Sequence, residues 1–232
     1  MLVEDVGYEP LGLVLGTSIY HIGYQRRGAF RNQELDVLSR ALYHARELAM
    51  QRMEAEAADL GADGIVGVRL EVRGFGDRNH VAEFLAVGTA VRQRDGKGPR
   101  TPNGRPFTSD LSGQDFWTLM RIGCRPVGLV MGSCVYAVGL VGTRSTVRPG
   151  WRNVELDPYT RAMYEARELA MTRMQREAQS LQADGVVGVE LTENSHAWRG
   201  RVIEFFSVGT AIVRDPSAER LASPTPVLDL SG

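Results

Sequence analysis

The sequence predicts an α+β protein built from two tandem copies of one β-α-β-β domain. Three observations predict it. The first is an internal repeat: GLVLGTSIYHIG from Gly12 matches GLVMGSCVYAVG from Gly128 at an offset of 116. Past a longer loop in the second copy the offset becomes 121, and it holds without a gap from Asn32/Asn153 to Val91/Ile212, with 33 of 60 positions identical. Similarity at one fixed period means two copies of one supersecondary unit. The second is a helical stripe, in which Leu38, Ala41, Leu42, Ala45, Leu48, Ala49, Met53, Ala57 and Leu60 recur at the spacing of one helix face. The third is alternation: Val66, Val68, Leu70 and Val72 interleave with Ile65, Gly67, Arg69 and Glu71, as in a strand.

Each copy reads in the same order. Leu13 to Ile22 is apolar and β-branched, a first strand, and a basic, Gly-containing loop follows. Asp36 is expected to cap the helix, and Asp157-Pro158 in the second copy pairs a cap with proline at the first helical position. Gly61 ends the helix. Two strands complete the unit, the last from Val81 to Val91. That strand is apolar on both faces: Phe84, Ala86, Gly88 and Ala90 line one, and Val81, Leu85, Val87 and Val91 line the other. A strand of this kind is covered on both sides. One helix covers one side, and a unit of about 80 residues buries only about 60% of its unfolded surface. The second face therefore needs another unit, the sister copy or another chain.

Between the copies, Gln93 to Ser109 contains GKGPRTPNGRP and reads as a solvated linker. Ser112-Gly-Gln-Asp115 is a capping box opening a short helix that Gly123 ends, and Leu2 to Pro10 is what the first copy keeps of this element. Asp229-Leu-Ser-Gly232 echoes Asp110-Leu-Ser-Gly113, so residues 226–232 are expected to dock as 107–113 do, beside a first-copy domain. The expected division is a first domain over 1–92, a linker over 93–111, a second domain over 112–214 with its short helix, and a tail over 215–232.

The stretch ARELAMQRMEAEAADLGADGIVGV, followed by a strand ending GTAV, closely resembles the YbjQ family, often labelled "putative heavy-metal-binding domain". ARELAMTRMQREAQSLQADGVVGV and SVGTAIV repeat the pattern in the second copy, so the resemblance covers most of the chain, and the helix-to-ADGVVG junction is its specific part. It implies dodecin-like β-α-β-β domains, each a mixed or antiparallel sheet on one long helix, assembled as five-fold rings. For two fused copies it implies a homo-oligomer in multiples of five chains. That is either a pair of stacked rings, one of first copies and one of second, or a larger closed shell. The strand glycines, kept in pairs as Gly16/Gly132 and Gly88/Gly209 among others, are read as close approach at a ring centre.

Composition narrows function by exclusion. Basic and acidic residues number 27 and 28, a net charge of −1, so no global field draws the chain to nucleic acid or a membrane. No apolar run approaches the ~20 residues of a membrane span, and MLVEDVGYEP is not a signal peptide, so a cytoplasmic location is expected. Carboxylates and arginines are kept in both copies, with no histidine, cysteine or lysine. An enzyme is not expected, and no cofactor. Metal binding needs converging His, Cys or carboxylate ligands. No histidine or cysteine is shared between the copies, which leaves Cys134 with His21, across a domain contact, as the candidate metal pair.

Two features point instead to contacts. The loop before the helix holds Phe30-Arg31-Asn32-Gln33-Glu34 in one copy and Trp151-Arg152-Asn153-Val154-Glu155 in the other, an aromatic, an Arg and an Asn at the same offset. A protein contact ranks first for it, a small anion second and nucleic acid third. Glu83 and Glu204 interrupt an apolar strand face in both copies, and a buried carboxylate needs an Arg or backbone donor, expected at a subunit contact. Arg52 and Glu56, one turn apart, are expected to pair. The preferred reading is a self-assembling structural protein; the alternative is a metal- or small-ligand-binding module with sites between subunits.

Overall fold

A computed structural model describes residues 2–21, 33–74, 81–96, 101, 104–137, 157–195 and 202–215. The first copy runs α1 (Leu2–Asp5), β1 (Tyr8–His21), β2 (Gln33–Glu34), α2 (Asp36–Asp59), β3 (Gly64–Gly74) and β4 (Val81–Gln93). β5 (Phe107–Thr108) and α3 (Gly113–Arg121) lie between the repeats. The second copy is β6 (Cys124–Ala137), α4 (Asp157–Ser180), β7 (Gly185–Ser195) and β8 (Val202–Arg214). The β-α-β-β order is thus present twice.

The strands form two sheets, ordered β1-β4-β3-β5 and β2-β6-β8-β7. In each, the last strand of the copy lies between its other two long strands. All pairings are antiparallel except β5, which runs parallel to β3. The two extra strands extend opposite ends. β2, from the first copy, pairs with β6 of the second, and β5 adds to β3.

Each helix packs on its own sheet through strand residues of one parity. Val14 of β1 faces α2, and Val130, Cys134 and Tyr136 of β6 face α4. The helices come very close. A methyl group at Gly16 would stand 2.0 Å from the Ala49 carbonyl oxygen, and one at Gly132 would stand 2.0 Å from that of Ala170. Close approach at these glycines is therefore between helix backbone and its own sheet, not at a ring centre. Gly88 and Gly209 are crowded by the neighbouring strand's side chains, Ile65 and Val186 respectively.

Other local expectations resolve in detail. Ser112 caps α3, its hydroxyl accepting from the Asp115 amide at 3.2 Å. Asp36 is the first residue of α2 rather than its cap; Leu35 takes the cap position with no side-chain bond to the helix end. Arg52 and Glu56 clamp the β1 backbone: Arg52 donates to the Thr17 carbonyl, and Glu56 accepts from the Leu15 amide at 2.8 Å. Phe107, Thr108 and Ser109, at the end of the segment that reads as solvated, are buried. Phe107 joins Tyr8 and Phe116 in an aromatic cluster, with ring centroids 5.3 to 6.1 Å apart.

The core decides the architecture. A flank of α2, beside the strip that faces its own sheet, packs on the face of the second sheet that points away from α4, so Val135, Ala137 and Val202 belong to the same cluster as Leu38, Leu42 and Ala45. Helix α2 thereby touches both sheets along adjacent strips, and its far side, with Arg40 and His44, is exposed.

Candidate functional site

The contact between the copies is the most developed polar site among the described residues. It begins with Arg46, on the flank of α2 between its own sheet and sheet two. Its guanidinium donates to Glu204 at 2.7 Å, with both side chains only 2% exposed. The same group lies 4.1 Å from the Phe206 ring centroid and 5.4 Å from that of Phe84. Ser133 donates a further bond to Glu204 at 3.0 Å. A buried carboxylate is tolerated only with such partners. About two turns earlier on α2, the Ser39 hydroxyl accepts from the Val135 amide at 2.9 Å, and the Leu35 amide donates to the Val135 carbonyl at 2.8 Å.

A second ion pair runs the other way. Arg173 of α4 donates to both oxygens of Glu34 at 2.7 and 3.0 Å, and to the Ser133 carbonyl at 2.6 Å. Bidentate Arg-carboxylate geometry fixes direction as well as distance. The segment after β5 adds a third set: Ser109 and Thr210 hydroxyls lie 3.0 Å apart, the Asp110 amide donates to Thr210 at 3.1 Å, and Thr108 accepts from the Leu129 amide at 2.9 Å.

Of the residues singled out in the sequence, Glu34 and Glu204 lie in this contact. Glu83, the counterpart of Glu204, lies half-buried on the outer face of sheet one. Arg31, Asn32, Arg152, Asn153 and Glu155 fall outside the described residues. Sequence reasoning passed over Arg46 and Ser39. The available signal for Arg46 was the one that marked Glu83: a charge in an apolar helix face, ALYHARELAM, kept in both copies.

The candidate metal pair is not brought together. Cys134 is buried among Ala162, Ala166 and Ala170 beneath α4, where the first-copy side chain beside it is Glu34, while His21 ends β1 in sheet one. Burial pushes its thiol up to about 12, which disfavours the thiolate that a metal binds. Among the described residues no three His, Cys, Asp or Glu side chains converge as a metal site. This donor set does not fit a resident heavy metal. No described helix is long and apolar enough to cross a membrane.

Comparison with known proteins places this geometry. The chain is 48% identical over 230 residues, 99% of its length and 87% of the relative's, to an encapsulin nanocompartment protein of Mycobacterium tuberculosis. It is 41% identical over 100 residues to a UPF0145 protein of Pseudothermotoga lettingae, covering 38% of this chain and 90% of that one. With a UPF0145 protein of Halorubrum lacusprofundi it shares 40% over 91 residues, 37% of this chain and 86% of that one. Those shorter relatives have the length of one copy. Residues 11–94 and 123–215 each match the YbjQ family, described as "Putative heavy-metal-binding". The chain belongs to the YbjQ family and carries two copies of its domain in tandem.

Proposed function

We propose that this chain is a self-assembling structural protein whose copies join head to tail by repeating, between chains, the contact that joins its own two domains. One observation carries the reading: the two surfaces that would meet are duplicates of surfaces already joined. The outer face of sheet one bears Leu13, Leu15 and Ile19, which are 71%, 47% and 57% exposed. Their counterparts are covered: Val135 lies under α2, Leu129 is packed against the same cluster, and Met131 is buried. The matching flank of α4 repeats that of α2, with Met163 and Arg167 at the places of Leu42 and Arg46. Arg167 is exposed, stacked 4.8 Å from the Tyr164 ring. Its partner on the next chain is Glu83, as Glu204 is for Arg46.

Such a contact joins unlike surfaces, so its repetition gives a ring where the rotation closes and a filament where it does not, and a closed shell takes a further contact between rings. The angle turned at each contact sets the number of chains; multiples of five accord with the family's five-fold rings. A closed shell accords with the similarity to the encapsulin nanocompartment protein of Mycobacterium tuberculosis. The alternating order of copies argues against one ring of first copies stacked on one of second copies. The role is non-enzymatic. A metal-binding module finds no support in the donor set.

Charge reversal tests the reading. Arg167→Glu should release chains of 25.5 kDa from the assembly in native mass spectrometry. Adding Glu83→Arg should restore the larger mass. A wild-type chain that is monomeric at micromolar concentration, or an unchanged mass for Arg167→Glu, would overturn it.

A further inference from the structure

We infer that residues 226–230 add to the outer edge of β7 as a parallel strand, and that Asp229 and Leu230 reach from there onto Thr89 and Gly67 of the next chain. The β7 pairing stands on the chain's own asymmetry; the reach to the next chain rests on the head-to-tail reading above.

The two sheets are the same three-stranded unit with extra strands at opposite ends. Sheet one has β5 on β3, and sheet two has no described strand on β7. The segment on β3 makes a regular parallel edge. Ser109 donates to the Ile65 carbonyl at 2.9 Å, Val68 to the Ser109 carbonyl at 2.9 Å, and Gly67 to the Leu111 carbonyl at 3.1 Å. Val68 is 2% exposed within the cluster that α2 and sheet two close, whereas its counterpart Val189 is 42% exposed. An edge strand with bare amides and apolar side chains is a pairing template.

The same segment then crosses to the other copy. A methyl group at Gly188 would meet the Leu111 side chain at 2.9 Å, and Asp110 is bonded to Thr210. The counterparts in the first copy are Gly67 and Thr89. Gly67 has φ of +66° and nothing within 4 Å of where its Cβ would lie, so the place that Leu111 takes on Gly188 is open there.

One segment of the chain carries the matching residues. Asp229-Leu230-Ser231-Gly232 repeats Asp110-Leu111-Ser112-Gly113. The stretch from the end of β8 to Pro226 is two residues shorter than that from the end of β4 to Phe107, so the reach is comparable. Transferring the register gives three bonds: Leu228 to the Val186 carbonyl, Val189 to the Leu228 carbonyl, and Gly188 to the Leu230 carbonyl. Two departures are specific. Pro226 lacks the amide with which Phe107 donates to Asp63, so pairing starts later. Leu228 replaces Ser109, which leaves the contact with Thr89 to Asp229. The expectation of a tail beside a first-copy domain becomes a tail on its own second copy, bridging to the first copy of a neighbour.

Hydrogen exchange with mass spectrometry on the full chain tests this, against a chain ending at Asp215 and a full-length Leu230→Asp variant. Amides 186–189 should exchange about tenfold or more faster in both variants, with 65–68 unchanged as the internal control. Equal exchange in all three would overturn the pairing. Leu230→Asp should also lower the native mass of the assembly; an unchanged mass would overturn the bridge. Arg167→Glu separates the two ideas, because it breaks the helix contact while 186–189 stay protected by the same chain's tail. Loss of that protection in Arg167→Glu would mean that the cover comes from a neighbour, and would also overturn the pairing as stated.

Discussion

Arg46 and Glu204, separated by 158 positions, meet as a buried ion pair at 2.7 Å that locks the first copy's helix to the second copy's sheet. Removing one partner leaves the other charge in an apolar setting. Arg46→Met should therefore destabilise the chain by about 3–5 kcal/mol. Replacing both, as Arg46→Met with Glu204→Met, should recover most of the loss. Urea unfolding of the two single variants and the double variant measures the coupling. Additive losses in the double variant would contradict it.

Glu177 accepts from the Met131 amide at 2.7 Å, and burial raises its carboxyl to about 7 from the ordinary 4.5. The folded state thus holds its proton more tightly than the unfolded chain. Its contribution to stability is full below about pH 4.5 and is lost as pH rises to about 7. The loss is about 3 kcal/mol on the scale of 1.36 kcal/mol per unit. Glu177→Gln keeps an acceptor for Met131 without the charge, so it should flatten the stability profile between pH 4.5 and 7. Chemical denaturation at a series of pH values checks this; a parallel profile for variant and wild type would contradict it.

Gly132→Ala should be among the most damaging single-methyl changes, because the new methyl would lie 2.0 Å from the Ala170 carbonyl oxygen and 2.8 Å from the Met174 nitrogen. Backbone on both sides must move, at a cost of about 3 kcal/mol or more. Gly113→Ala, at the start of α3 with nothing within 4 Å, should be neutral or stabilising by up to about 1 kcal/mol. Thermal melts of the two variants should shift in opposite directions or differ by several degrees.

The elements and their order were legible in the sequence because they are local. A stripe at helical spacing from Leu38 to Ala57 makes a helix whatever lies beside it, and alternation from Ile65 to Val72 makes a strand. The repeat showed that this happens twice. Glycines at 16 and 132 announced close approach, since only glycine admits a neighbour's backbone so near. Which neighbour came was a tertiary matter, and it was the copy's own helix. Glu204 announced a partner by standing in an apolar face, but its position along the chain holds no information about a helix 158 residues away. Phe107 to Ser109 read as solvated because Pro, Gly and Arg surround them, and became buried because β3 offered a bare edge. Above all, the sequence by itself determined that each sheet needs a second cover, because an apolar face excludes water. Only the tertiary structure decided the cover. Two nearly equivalent faces meet different fates, Val135 under α2 and Ile19 in the open, because the contact joins unlike surfaces and a chain of two domains can satisfy it once internally.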